Sequence, residues 1–295
     1  MTFRLNHDRF RDAVLELIRL ASTDMSPDVV KAITMARDNE DAGSAAKSVL
    51  NVILQNITAA QDGSTPICQD TGTNIHYITI PVGVSMRAVE KAVIEATRLA
   101  TAKAYLRPNS VDSVTGKNSG DNTGIMSPYF HFEEWDKPAI EIKLALKGGG
   151  SENVSGQYKL PDATLEAGRN MEGVYKCVVD MVFKAQGQGC APGIMGVGIG
   201  GDRATSMIVA KKQLFRKLDD LNPDPDLASM EERLLQDLNK LGIGPMGFGG
   251  KTTALAVKIG KAHRLPASFF VSLAYMCWAD RRRTMTYSED EVRYD

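Results

Sequence analysis

The stretch GCAPGIMGVGIGGDRATS, residues 189–206, decides between two folds. Gly196, Gly198 and Gly201 satisfy G-x-G-x-x-G, a helical pattern comes next, and Asp219 and Asp220 stand about 20 residues on, as a dinucleotide-binding βαβ unit requires. A doubly wound parallel sheet would then be expected. Two features oppose it: GIM is a poor first strand, and the motif comes late in the chain instead of opening a βαβ unit. The segment therefore reads as a glycine-rich turn ahead of a helix.

The flanking sequence agrees. Apolar spacing predicts helices in FRDAVLELIRLAS, in VVKAITMARD after Ser26-Pro27, and in AAKSVLNVILQNITAAQ. After the turn-rich DGSTPICQDTGTN, IHYITIPVGV alternates like a strand, and MRAVEKAVIEATRLATAKAYL predicts a long helix that stops before Arg107-Pro108. The segment PNSVDSVTGKNSGDNTG is loop by composition and long enough to carry function. Strands are predicted again in AIEIKLALK, TTALAVKI and SFFVSLAYMCWAD, with helices around NMEGVYKCVVDMVFKAQ and LASMEERLLQDLNKLGIG, ahead of the charged end RRRTMTYSEDEVRYD. Helices and strands mix without a strict βαβα rhythm. The expected fold class is α+β, helix-rich, in two lobes with mixed or antiparallel sheets: one domain over 1–295, with a helical part over about 1–60 and the catalytic part over about 61–295.

A second glycine-rich stretch, GPMGFGGKTT at 244–253, looks like a Walker A loop that ends in Gly-Lys-Thr. The register misses by one, because Pro245 stands where the first glycine belongs and has no N–H to donate. The next residues, TTALAVKI, alternate like a strand, whereas a phosphate loop opens a helix. These glycines need another purpose.

Composition narrows the function. The chain has 295 residues, 43% hydrophobic and 24% charged, with a formal net charge of −1, so nothing electrostatic favours nucleic acid or an acidic membrane surface. No apolar run approaches the roughly 20 residues of a membrane span, and the N-terminus lacks the apolar core of a signal peptide, so a cytoplasmic protein is expected. Four cysteines without a CxxC pair suit neither a disulfide scaffold nor a zinc ribbon. Cys177 lies on an apolar helical face and reads as a small buried hydrophobe. Cys68, Cys190 and Cys277 each lie beside a turn, a glycine cluster or a polar run. An iron–sulphur cluster needs thiolates and closely approaching backbone N–H groups, which glycine permits, and three ligands would leave one iron open for substrate.

Together, PICQDTGT, KGGGSEN, CAPGIMGVGIGGD, IGPMGFGGKTTAL and CWADRR resemble the α subunit of the class I iron–sulphur hydro-lyases, the fumarate hydratases and L-tartrate dehydratases. Five blocks occur in the family's order over roughly Asp62 to Arg283. The resemblance implies a [4Fe-4S] cluster held by Cys68, Cys190 and Cys277, with one open iron that binds a dicarboxylate. It implies that Gln69 and Asp70 lie at the substrate, with Asp70 in proton movement, and that Arg107 grips a substrate carboxylate. Gly148, Gly149, Gly150, Ser151 and Asn153 match a turn whose backbone approaches the substrate, and Lys251 falls at the pocket's edge. Thr115, Gly116 and Lys117 resemble a further family loop.

Two departures stand out. Where the family has a histidine as general acid, twelve residues before the last cluster cysteine, this chain has Leu265, and His263 is the nearest substitute. The chain also ends soon after CWADRR, whereas the family's remaining active-site residues lie in a β subunit or a C-terminal domain; the expectation is a separate β subunit in a hetero-oligomer. Hydration of fumarate is the expected reaction. A mesaconate or tartrate enzyme, a dinucleotide-dependent oxidoreductase and a non-catalytic cluster-binding relative are the alternatives.

Overall fold

The computed structural model describes residues 3–295. The chain forms an α+β fold whose two sheets lie in two compact units. The first unit comprises residues 1–26, 56–148 and 279–295, and the second residues 27–55 and 149–278.

In the first unit a five-stranded sheet runs β2-β1-β3-β8-β9. The strands are β1 (Thr73–Pro81), β2 (Tyr129–Trp135), β3 (Ile140–Lys147), β8 (Arg282–Tyr287) and β9 (Val292–Tyr294). Only β1 and β2 pair in parallel. Two amphipathic helices, α1 (His7–Thr23) and α4 (Met86–Ala102), join the core with Phe10, Leu17, Ile18, Val89 and Val93 beside Ile78, Ile80, Ile142 and Leu144. Each such side chain contributes about 1.5–3 kcal/mol by leaving water. Asn6 and Ser85 cap the two helices by accepting the N–H of Arg9 and Ala88. The helix predicted to run to Leu106 stops at Ala102, where Ala104 takes a left-handed φ of 60° and the Tyr105 N–H turns back to the Ala100 carbonyl. The charged C-terminal segment, which has no apolar periodicity of its own, supplies β8 and β9 because its backbone completes the sheet.

The second unit has a four-stranded sheet in the order β4-β7-β5-β6. Its strands are β4 (Gly156–Leu160), β5 (Gly193–Ile199), β6 (Ala254–Lys261) and β7 (Phe269–Met276), with β5 and β6 parallel and the other pairs antiparallel. Around it are α2 (Pro27–Asn39), the short α5 (Gly149–Asn153), α6 (Met171–Ala185), α7 (Arg203–Gln213) and α8 (Pro225–Lys240). The remaining helix, α3 (Ala45–Gly63), carries the chain from the second unit into the first.

The glycine-rich segment expected as a turn is thus a wholly buried inner strand, β5. Its alternation is legible once the glycines count as a face. Met195, Val197 and Ile199 pack in the core with α6 and α8, whereas Ile194 packs with Ala210 and Leu214 around α7. On that second face a Cβ at Gly196 would lie 2.3 Å from the Ala210 carbonyl oxygen, and one at Gly198 would lie 2.1 Å from that of Ser206. These two glycines let a helix backbone lie against a strand backbone.

Candidate functional site

In the first unit the Cys68 loop comes after α3 and is fastened at several points. The Ile67 N–H donates to the Ser22 carbonyl at the end of α1, and the Asn56 amide donates to the Ile67 carbonyl at 2.9 Å. Asp70 forms an Asx turn by accepting the Gly72 N–H at Oδ1, 3.0 Å. Gly72 has φ +81°, and a Cβ there would come 2.7 Å from the Leu146 backbone, so only glycine lets the loop cross β3. The buried Arg281 donates through Nη1 to the Asp70 carbonyl. Gly148 completes the group: a Cβ on it would lie 3.2 Å from Asp70 Oδ2 and 3.4 Å from Arg281 Nη2.

Arg107 belongs to the same neighbourhood. Its backbone N–H donates to Thr71 Oγ1 at 3.1 Å and its exposed guanidinium to the Gln69 carbonyl at 3.3 Å, while the buried Asn122 amide donates to its carbonyl at 2.7 Å. The first unit therefore brings Gln69, Asp70, Arg107 and Gly148 together. Thr115, Gly116 and Lys117 lie on an exposed turn, whose Asp112 carboxylate accepts the Thr115 N–H and hydroxyl and so titrates below the usual range, while the neighbouring Asn118 amide donates to the Pro108 carbonyl at 2.7 Å.

In the second unit Cys190 precedes β5 and Cys277 comes directly after β7. Because Ile194 pairs with Met276, both thiols lie at one end of the sheet. Tyr275 is buried near both: burial raises its pKa most, and Cys277 and Cys190 raise it further. Gly189 and Gly193 lie against its ring, where added Cβ atoms would meet ring carbons at 2.4 and 2.5 Å. Cys190 itself takes a left-handed backbone, φ 56° and ψ 61°. Cys68, Cys190 and Cys277 are partly exposed thiols, whereas Cys177 is buried on α6 and its pKa is pushed up to about 12, first by burial and then by Asp162 and Asp180. Nearby, Gly149, Gly150, Ser151 and Asn153 form α5; the Ser151 carbonyl accepts the Ser155 hydroxyl, which accepts the Tyr275 N–H at 3.0 Å.

The Walker-like loop holds a carboxylate from its own chain. Glu40 accepts the backbone N–H groups of Lys251 and Thr252 at 2.9 to 3.0 Å, in the nest where a nucleotide phosphate would sit. The Lys251 ammonium reaches Asp41 at 2.5 Å and the Asn39 carbonyl at 3.3 Å. His263 and Leu265 stand on the exposed connection between β6 and β7, and the His263 carbonyl accepts the Gly201 N–H. That is the other end of β5, about 20 Å along the strand from the thiols. A cavity of about 520 Å³ lined by His263, Arg264 and Lys261 lies there.

Sequence reasoning missed Arg281 and Glu40. The run of three arginines after Asp280 was the available signal for the first, since a buried strand has no ordinary use for consecutive cations. Glu40 gave none. The donor chemistry suits an iron–sulphur group: two thiols share one end of a glycine-rich sheet, and the third stands in a loop fixed from several sides. Among the described residues no group of three or more His, Cys, Asp or Glu side chains could hold a single metal ion. Cluster thiolates bind different irons and need not crowd about one. No helix among the described residues is long and apolar enough to cross a membrane.

Residues 11–286 match the family described as Fumarate hydratase (Fumerase). A protein of Geobacillus stearothermophilus provisionally named a class I fumarate hydratase is 48% identical over 93% of this chain and 54% of its own length. The chain thus spans about half of that relative. A Methanocaldococcus jannaschii protein provisionally named L(+)-tartrate dehydratase subunit alpha is 36% identical, over 93% of this chain and 96% of its own. The Escherichia coli L(+)-tartrate dehydratase subunit alpha is 31% identical over 96% and 92% respectively.

Proposed function

The chain belongs to the Fumarate hydratase (Fumerase) family, and from that premise we propose that it is the α part of an iron–sulphur hydro-lyase that interconverts fumarate and (S)-malate. The observation that carries the reading is the pairing of Cys190 and Cys277 around Tyr275 at one end of the second sheet. Cys68, Cys190 and Cys277 would hold a [4Fe-4S] cluster with one iron left open. When bound, that cluster supplies a Lewis acid that helps a hydroxyl group leave.

The chain's own residues do the rest. Asp70 accepts the Gly72 N–H at Oδ1 and carries Oδ2 beside the bare Cα of Gly148, where it takes or gives the proton next to the substrate carboxylate. Arg107 presents a planar fork to that carboxylate, where fixed positive charge stabilises the developing carbanion. The Gly148, Gly149, Gly150, Ser151 and Asn153 turn supplies backbone and hydroxyl contacts to the dicarboxylate. Lys251, tied to Asp41, acts at the rim of the pocket. In this reading His263 has no role, since its carbonyl meets Gly201 at the opposite end of β5 from Cys190 and Cys277. The missing acid and further basic groups come from a separate β subunit in a hetero-oligomer, a reading supported by the two relatives named as α subunits. Partly exposed thiols of this kind suit a reducing compartment such as the cytoplasm.

Tartrate dehydration is the second reading, favoured because the chain covers 96% and 92% of the tartrate dehydratase subunits. Anaerobic co-expression with the β chain, followed by assays of fumarate, mesaconate and tartrate, separates the two. Fumarate hydration is expected to be fastest. Turnover of tartrate without fumarate would move the chain to the other branch, and a loaded complex that turns over neither would end the hydro-lyase reading.

A further inference from the structure

We propose that Glu40 is a positioning residue for Cys190, acting through the glycine loop 244–253; the proposal rests on the reading of Cys190 as a cluster ligand. Glu40 comes directly after α2 and is only 4% exposed. Its carboxylate accepts two successive backbone N–H groups, from Lys251 and Thr252, across 211 and 212 residues of sequence. Gly250 makes room for it: with φ +134°, a Cβ at that position would lie 3.1 Å from each carboxylate oxygen and 2.7 Å from the Ala46 methyl. The chain fills its own anion nest, so the loop's shape depends on this one side chain.

The loop in turn grips the segment that carries Cys190. The Met246 N–H donates to the Ala191 carbonyl at 2.7 Å, and the Gly193 N–H donates to the Thr253 carbonyl at 3.0 Å. Gly247 packs so closely on Gly187 that a Cβ on either would come within about 3 Å of the other's backbone. Both flanks of Cys190 are therefore tied to a loop that Glu40 holds at residues 251 and 252. A non-glycine residue with positive φ persists only where its surroundings fix it, and Cys190 is such a residue.

The test is the labelling rate of each cysteine by iodoacetamide, read by peptide mass spectrometry on the full chain after chelation of its metal. In Glu40→Ala, Cys190 is expected to label about tenfold faster, as local release of a clamped segment exposes it, while Cys277 changes less than about twofold. Cys177, buried with its pKa pushed up to about 12, reports whether the core is intact and should stay protected. Glu40→Gln, with one acceptor oxygen in the same place, should return the Cys190 rate to within about twofold of the unmodified chain. Should Glu40→Ala fail to fold, Glu40→Asp, one methylene too short to reach the nest, serves in its place. An unchanged Cys190 rate in a variant that protects Cys177 overturns the proposal, and so does acceleration of Cys190, Cys277 and Cys177 together. Iron content of Cys190→Ser tests the ligand reading separately: if iron is retained there, that reading fails while the labelling ratio still decides the clamp.

Discussion

The guanidinium of Arg281, 1% exposed, donates to the backbone carbonyl of Asp70, 211 positions earlier in the chain. Gly148 is the spacer beside them, so the proton-handling candidate is held from the backbone side while its Oδ2 edge meets no Cβ at position 148. In that arrangement Arg281 fixes the backbone at Asp70.

Arg281→Lys keeps the charge but loses the planar fork. Turnover by the α–β complex should fall about 100-fold with a smaller change in KM, as expected when a reacting group is displaced. Steady-state kinetics on fumarate measure both. A lysine variant of normal kcat would show that charge alone suffices. Gly148→Ala, which brings a methyl to 3.2 Å from Asp70 Oδ2, should lower kcat with a stability cost of only about 1 kcal/mol.

The four cysteines should separate into two classes. Cys68→Ser, Cys190→Ser and Cys277→Ser are each expected to lose most of the bound iron under anaerobic purification, while Cys177→Ala keeps it and costs about 1–2 kcal/mol of stability. The Cys177 thiol also has a pH signature. Its folded pKa of about 12 lies above the ordinary value of 9.0, so its contribution is intact below pH 9 and is lost as pH rises from there toward 12. Cys177→Ala should lessen the alkaline fall in urea stability over that interval.

Gly198→Ala drives a methyl to 2.1 Å from the Ser206 carbonyl oxygen and 2.7 Å from the Ala210 nitrogen. Overpacking of backbone against backbone should cost about 3 kcal/mol or more, visible as a large drop in Tm. A nicotinamide-binding assay should read zero for the original chain and the variant alike. Wild-type stability in Gly198→Ala would contradict the packing role given to this strand.

His76 lies wholly buried on β1 with neither ring nitrogen hydrogen-bonded among the described residues, and burial lowers its pKa from 6.5 to about 3. The unfolded chain therefore takes up a proton before the folded one. Stability is full above pH 6.5 and declines as pH falls toward 3, by up to about 1.4 kcal/mol for each pH unit. His76→Leu, which suits the apolar position opposite Leu144, should flatten the acid limb of a pH series of urea melts. An unchanged acid limb would remove His76 from the account.

The helices were legible because each spends its apolar residues at helical spacing, and α1, α2, α3, α4, α6 and α8 all fall on predicted segments. The strand β5 was not, since Gly196 and Gly198 have no side chains with which to mark the face that meets α7. Nor were β8 and β9, whose arginines and acids mask a backbone recruited by β3. In the candidate site, the cysteines, Asp70, Arg107 and the glycine turns are singled out through motif resemblance. Glu40 and Arg281 escaped because their roles depend on backbone atoms more than 200 positions away, and local pattern says nothing of such partners.

The chain passes between its two units four times, after Ser26, Gln55, Gly148 and Trp278. No single cut releases either unit without part of the other, so truncation libraries should recover insoluble pieces instead of a minimal folded half. The third and fourth crossings fall beside Gly148 and Cys277, so a fusion or inserted tag at either junction would disturb chemistry and architecture at once.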